Sequence, residues 1–229
     1  RGDIISFNSR LCQMLTSIGL DLDNAATLPG ATFAMMRRQN SVLELAQVGD
    51  AIVIAILNNG EVIYSPNQVR KHDGYLDPML ENFMRNIGIK KYSRDLEKLS
   101  DDEVRSLRGP AWDKFYPVYI ANKFNDVNRI ASPHSFGLLN GQRTLSDFIW
   151  SRNLNVDDVL CVLLLTDGFF RGGMIQGLSD VEIAENIYKI YKIGGWTSVL
   201  QEAREAERKI SKRNYIDHAE ATGYAIEFV

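Results

Sequence analysis

The sequence predicts an α+β fold built on a mostly antiparallel sheet system, and three observations carry that prediction. Four strand-like stretches follow one another between residues 31 and 65 with no helical pattern among them. A continuous apolar run, Val159 to Leu165, is bounded by Asp157-Asp158 and Asp167-Gly168, as in a strand buried on both faces. Two consecutive helical patterns then lead into a terminal strand.

The elements follow in order from periodicity and punctuation. Ile4, Phe7, Leu11, Leu15 and Ile18 recur at helical spacing, and Gly19 is a stop signal, so residues 4–18 read as an amphipathic helix. Ala31 to Arg37, Val42 to Val48 and Ala51 to Leu57 read as strands, with Met35-Met36 in the core. Asn58-Asn59-Gly60 supplies a tight hairpin before a fourth strand, Glu61 to Ser65, because Asn and Gly tolerate positive φ. The four together predict an antiparallel meander. Residues 66 to about 145 are rich in charge, Pro, Gly and Asn and weakly periodic, which predicts a long insertion with short helices near 78–86 and 101–107 and no second domain. Its aromatic residues Trp112, Phe115, Tyr116 and Tyr119 are expected to anchor the insertion by partial burial. Thr144 begins a short helix. Ser179 with Glu182 forms a capping box for a helix over 180–193, which Gly194-Gly195 ends. A further helix runs from Thr197 to about Lys212, its mixed-sign stretch Arg204 to Arg213 being a solvated face, and Tyr224, Ile226 and Phe228 mark the last strand.

Composition excludes several classes. Of 229 residues, 45% are hydrophobic and 24% charged, a globular balance rather than a disordered one. Lys plus Arg is 26 against 29 Asp plus Glu, a net charge of −3, which argues against a nucleic-acid partner. The longest apolar runs fall far short of a membrane span, and Arg1-Gly2-Asp3 opens no signal peptide, so neither membrane nor secretion is expected. Cys12 and Cys161 read as free thiols in a reducing, cytoplasmic setting.

There is no Gly-Lys dipeptide for a Walker-type loop, and no dinucleotide, serine-hydrolase or zinc-protease signature. His72, His134 and His218 are scattered and read as surface or satisfied core residues. Two acidic-glycine corners remain. Gly49-Asp50 joins two strands, and Asp167-Gly168 ends the apolar strand. A carboxylate at the end of a buried strand is costly unless it is hydrogen-bonded or faces a cation. The turn-forming role of Asp-Gly is the competing account of both.

The ordered set resembles the metal-dependent protein phosphatase family of the 2C type. Ala31-Thr32-Phe33-Ala34, then Val42 to Val48 and Gly49-Asp50, is similar to that family's strand pair and Gly-Asp-Ser corner. Gly137-Leu138-Leu139-Asn140-Gly141 resembles its glycine-asparagine turn, and Leu163 to Phe170 (LLLTDGFF) its apolar strand ending in Thr/Ser-Asp-Gly. Ala221-Thr222 and the strand after it resemble the end of the domain. The resemblance covers about residues 25 to 229. It implies a β-sandwich flanked by helices, residues 66–132 as a flap beside the site, and acidic residues at one sheet edge holding two Mg²⁺ or Mn²⁺ ions. It further implies hydrolysis of phosphoserine or phosphothreonine by a metal-activated water, with a phosphoprotein substrate. Asp167 is then a direct metal ligand and Asp50 a nearby one.

The chain also departs from the family. The first Asp-Gly motif, which supplies a bridging Asp, has no counterpart before Ile4, and Asp73-Gly74 comes too late in the order. At the last motif, Ala219 occupies the ligand position, leaving Glu220 or Asp217 as substitutes. Arg171 stands where an acidic residue is frequent, and Gly49-Asp50-Ala51-Ile52 lacks the corner's Arg. Either the natural protein extends ahead of Arg1, or the fold keeps a binding role without catalysis, with Arg171 holding an acid or phosphate. Three expectations follow: a phosphoprotein phosphatase, an inactive phosphatase-like module that binds a protein partner, or a metal-dependent hydrolase of a small phosphate ester.

Overall fold

The computed structural model describes residues 2–25, 27–169, 178–210 and 221–228. Its order is α1 (Gly2–Ser17), β1 (Phe33–Gln39), β2 (Val42–Val48), β3 (Ile52–Leu57), β4 (Val62–Tyr64), α2 (Arg70–Tyr92), α3 (Asp101–Asp126), β5 (Trp150–Asn155), β6 (Val159–Leu165), α4 (Asp180–Ile210) and β7 (Gly223–Glu227). The strands form two sheets, β1-β2-β5 and β4-β3-β6-β7, and every pairing between neighbouring strands is antiparallel.

Strand alternation sets the layers. In β2, Leu43 and Leu45 join a cluster with Val53 and Ala55 of β3 and Val159 and Val162 of β6, so side chains of the two sheets meet in one apolar layer. The opposite residues of the second sheet, Ile52, Ile54, Ile56, Cys161, Leu163 and Leu165, pack against Ile183, Ala184, Ile187 and Val199 of α4. The opposite residues of β2, Ala46 and Val48, pack with Ile4 of α1 and with Leu145 and Ile149. Apolar clusters thus join α1 to the first sheet, the first sheet to the second, and the second sheet to α4.

Four expectations need correction. The predicted meander does not form: β1–β2 and β3–β4 are separate hairpins in different sheets, and the Gly49-Asp50 corner carries the chain from one to the other. The second hairpin closes at Asn58-Asn59-Gly60 as expected, with the Gly60 N–H donating to the Leu57 carbonyl at 2.9 Å. The buried face of α1 is Ile4, Asn8 and Leu15, while Phe7 and Ile18 are exposed. Strand β5 was not anticipated; its sequence WSRNLN is polar because it is an edge strand with much of its surface in solvent.

The fourth correction concerns the insertion, which holds two long helices instead of short ones. Pro78 lies inside α2, and Pro110 and Pro117 inside α3. Each proline removes an amide donor and disfavours an isolated helix by about 3 kcal/mol. Packing outweighs that penalty: Met84, Leu99, Val104, Leu107 and Ala111 form a buried cluster between the helices. Gly88 permits the close approach, since a Cβ there would lie 3.1 Å from Leu107 Cδ1. A capping box between Ser100 and Glu103 starts α3. In line with the expected partial burial, Phe115 is buried, while Trp112 and Tyr116, 41% and 50% exposed, keep ring contacts with Tyr119.

In α4 the helical geometry breaks at Gly194 and Gly195, matching the two helices predicted around that pair. The capping box at its start is present, with the Ser179 N–H donating to Glu182 Oε2 at 2.8 Å and the Glu182 N–H donating to Ser179 Oγ at 3.3 Å. Among the described residues, no helix is long and apolar enough to cross a membrane.

Candidate functional site

Two corners of the second sheet converge. The β3–β6 register pairs Ile52 with Leu165 in antiparallel sense. Asp50, two residues before Ile52, and Asp167, two residues after Leu165, therefore sit at the same end of that strand pair. Both are half-buried. The chain entering β7 arrives there as well: Gly223 pairs with Leu165, the Thr166 N–H donates to the Thr222 carbonyl at 3.0 Å, and the Thr222 N–H donates to Thr166 Oγ1 at 2.9 Å.

The Gly49-Asp50 corner is held from several sides. Gly49 has φ +82°, and a Cβ there would lie 2.2 Å from Thr32 Cγ2, so both backbone angle and space require glycine. Its carbonyl accepts from Gln47 Nε2 at 2.6 Å and from the Gln68 N–H at 3.0 Å. Gln68 Oε1 accepts from the amides of Gly49 at 3.3 Å and Gly137 at 3.0 Å, while Gln68 Nε2 donates to the Phe148 carbonyl at 2.7 Å. Gly137 is wedged as well, since a Cβ there would lie 2.6 Å from Phe148 Cβ. One side chain, Gln68, thus ties together the sheet-to-sheet crossing, the glycine-asparagine turn and the approach to β5.

Sequence reasoning missed Gln47 and Gln68. The signal for Gln47 was present, since it shares the inward parity of Leu43 and Leu45 in an apolar strand and so had to be a satisfied buried amide. Nothing local marks Gln68.

At the other corner, Asp167 opens a short 3-10 turn, Asp167–Phe169. Phe169 is buried against Trp196 with ring centroids 5.1 Å apart. The aromatic anchor, two residues on, holds the backbone at Asp167. Arg70 Nη1 donates to Asp180 Oδ1 at 3.0 Å, joining the start of α2 to the start of α4. Asp217, Glu220, Ala219 and Arg171 lie outside the described residues, as does His218. Among the described residues, no group of three or more His, Cys, Asp or Glu is arranged to hold a metal ion. Of the predicted ligands, Asp50 and Asp167 are the two among the described residues, and the register puts them at the same end of one strand pair.

No family model matches the chain, and no curated protein matches it. Among solved structures, it is similar to a serine-threonine phosphatase 2C from Toxoplasma gondii, at 11% identity and a TM-score of 0.44. The match covers 95% of this chain, which spans 62% of the length of that protein.

Proposed function

We propose that the chain is a phosphatase 2C-like domain whose Asp50 and Asp167 hold a divalent cation for hydrolysis of phosphomonoesters on serine or threonine. The observation that supports this reading is the β3–β6 register, which puts residues 50 and 167 at one end of a buried strand pair. An acid stands at that end of each strand of the pair, and carboxylate oxygens are the donors that hard divalent cations take. The two facing sheets between α1 and α4 support the sandwich, and the α2–α3 hairpin supplies the flap, its root next to the corner through Gln68.

Asp50 and Asp167 offer the donor chemistry of one hard ion. Mg²⁺ and Mn²⁺ accept carboxylate oxygens, and Mg²⁺ commonly takes one or two carboxylates while keeping several waters. A two-ion site would draw further on Asp217 and Glu220. When bound, the ion supplies positive charge to a phosphomonoester and lowers the pKa of water. The chain itself positions the acids: Gln68 and Gln47 fix the backbone on which Asp50 stands, and Phe169 with the Thr166–Thr222 bridge fixes that of Asp167.

A second reading, a non-catalytic module that binds a protein partner, is favoured by the exposure of Trp112 and Tyr116 on α3. Mn²⁺-dependent hydrolysis of an aryl phosphate separates the two. The first predicts turnover that falls at least about 100-fold in Asp167→Asn. Equal rates in both proteins remove Asp167 from the chemistry, and no turnover in the wild type favours the binding module.

A further inference from the structure

His72 lies in the first turn of α2, is 2% exposed, and faces the last residue of α3. Its Nδ1 donates to Asp126 Oδ2 at 3.0 Å. The other carboxylate oxygen, Asp126 Oδ1, accepts from Ser132 Oγ at 2.5 Å, and Ser132 Oγ in turn accepts from the His134 N–H at 3.2 Å. Three segments, the start of α2, the end of α3 and the loop that follows, are therefore closed by one imidazole and one carboxylate.

The remaining nitrogen decides what this closure can withstand. His72 Nε2 is buried and, among the described residues, has no hydrogen-bond partner. Around the ring are Phe136 at 4.7 Å and Tyr119 at 6.3 Å between centroids. An imidazole with its one proton on Nδ1 satisfies Asp126 and leaves only a lone pair unpaired. A second proton would place a charged N–H donor against aromatic rings, with no hydrogen-bond partner for it among the described residues. His72 is thus not the satisfied core residue that the sequence suggested.

We infer that His72 is an acid-sensitive latch that seats the root of the α2–α3 hairpin and releases it when the imidazole takes up its second proton. The groups facing it are Asp126 on α3, which favours the proton, His134 in the following loop, which opposes it, and Tyr119 on α3, whose hydroxyl stays neutral because burial and the nearby Asp73 raise its pKa. Burial is the largest influence on His72 and holds it below the ordinary imidazole value. The seated form therefore prefers the neutral ring, and the released form binds the proton. Seating is complete above the ordinary imidazole pKa and is lost as pH falls below it. The latch stands four residues beyond Gln68, so release loosens the hairpin where it meets the sheet-to-sheet corner.

The test is amide hydrogen exchange of the full chain at pH 7.5 and pH 5.5, corrected for intrinsic rates, reading peptides from 70–80 and 120–136. In the wild type, protection of these peptides falls about tenfold or more at the lower pH while β3 and β6 hold. In His72→Gln, which keeps a donor for Asp126 without a titrating group, and in His72→Phe, protection is the same at both pH values. Unchanged wild-type protection overturns the latch, and so does an equal loss in the variants, which places the acid response on other groups. Should neither variant fold, a ¹⁵N titration of the wild-type histidines decides, since a His72 pKa at or above the ordinary value contradicts the proposal. None of these readouts depends on metal binding or turnover.

Discussion

Replacing Gly49 by alanine tests whether the sheet-to-sheet corner is built as tightly as its geometry indicates. The φ of +82° places the residue in the left-handed region, which costs a residue with a Cβ about 1–2 kcal/mol. The new Cβ would also lie 2.2 Å from Thr32 Cγ2 and 2.7 Å from Thr32 Cβ, and forced overpacking of this kind costs about 1–3 kcal/mol. Gly49→Ala should therefore destabilise by about 2–5 kcal/mol, lowering the midpoint of urea unfolding at unchanged slope. The two contributions separate in a double-mutant cycle with Thr32→Gly, which removes both offending atoms and leaves the backbone penalty. The double variant should be more stable than the sum of the single effects by about 1–3 kcal/mol. A Gly49→Ala midpoint equal to wild type, or strictly additive effects in the cycle, would refute the account of this corner.

Further expectations concern other parts of the frame. Asn128, 2% exposed with φ 52°, donates from Nδ2 to the Leu138 carbonyl at 2.8 Å and to Asn140 Oδ1 at 2.9 Å, and accepts from the Leu138 N–H at 3.0 Å. Asn128→Ala should cost about 2–4 kcal/mol in thermal unfolding, and Asn128→Gly should cost less because only the hydrogen bonds are lost. Burial pushes the Cys161 thiol up to about 11, so at pH 8 a disulfide reagent should leave Cys161 unmodified until the chain unfolds. Between the ordinary thiol value and 11 the unfolded chain binds fewer protons than the folded one, so stability falls as pH rises through that window. Cys161→Ala should remove that part of the alkaline slope, and an unchanged slope would count against it.

The legible parts of the fold were those where local chemistry and packing agree. Val159 to Leu165 is apolar on both faces because β6 lies between the facing sheet and α4, and that run is visible in any reading of the chain. Gly194-Gly195 and the Ser179–Glu182 box mark their helix boundaries through backbone and capping chemistry that acts within a few residues. The α2–α3 hairpin was hidden for the opposite reason. Its three prolines and mixed surface oppose helix formation locally, and the opposing term, a cluster between two helices, depends on residues such as Met84 and Leu107 that are distant in sequence.

The candidate site divides in the same way. Asp50 and Asp167 were picked out as acids beside glycine at strand ends, a local pattern. That they share one end of a strand pair follows from the β3–β6 register, which no local pattern specifies. Gln68 shows the limit most clearly, because its importance lies in contacts with Gly49, Gly137 and Phe148, up to 80 positions away.

Calorimetric titration of Mn²⁺ into the full chain, wild type against Asp167→Asn, puts the pairing of the two strand-end acids to the most direct test. The account predicts saturable binding in the wild type, weakened about tenfold or more in the variant, with unfolding midpoints alike. Identical isotherms for the two proteins, or no binding by the wild type, would contradict it.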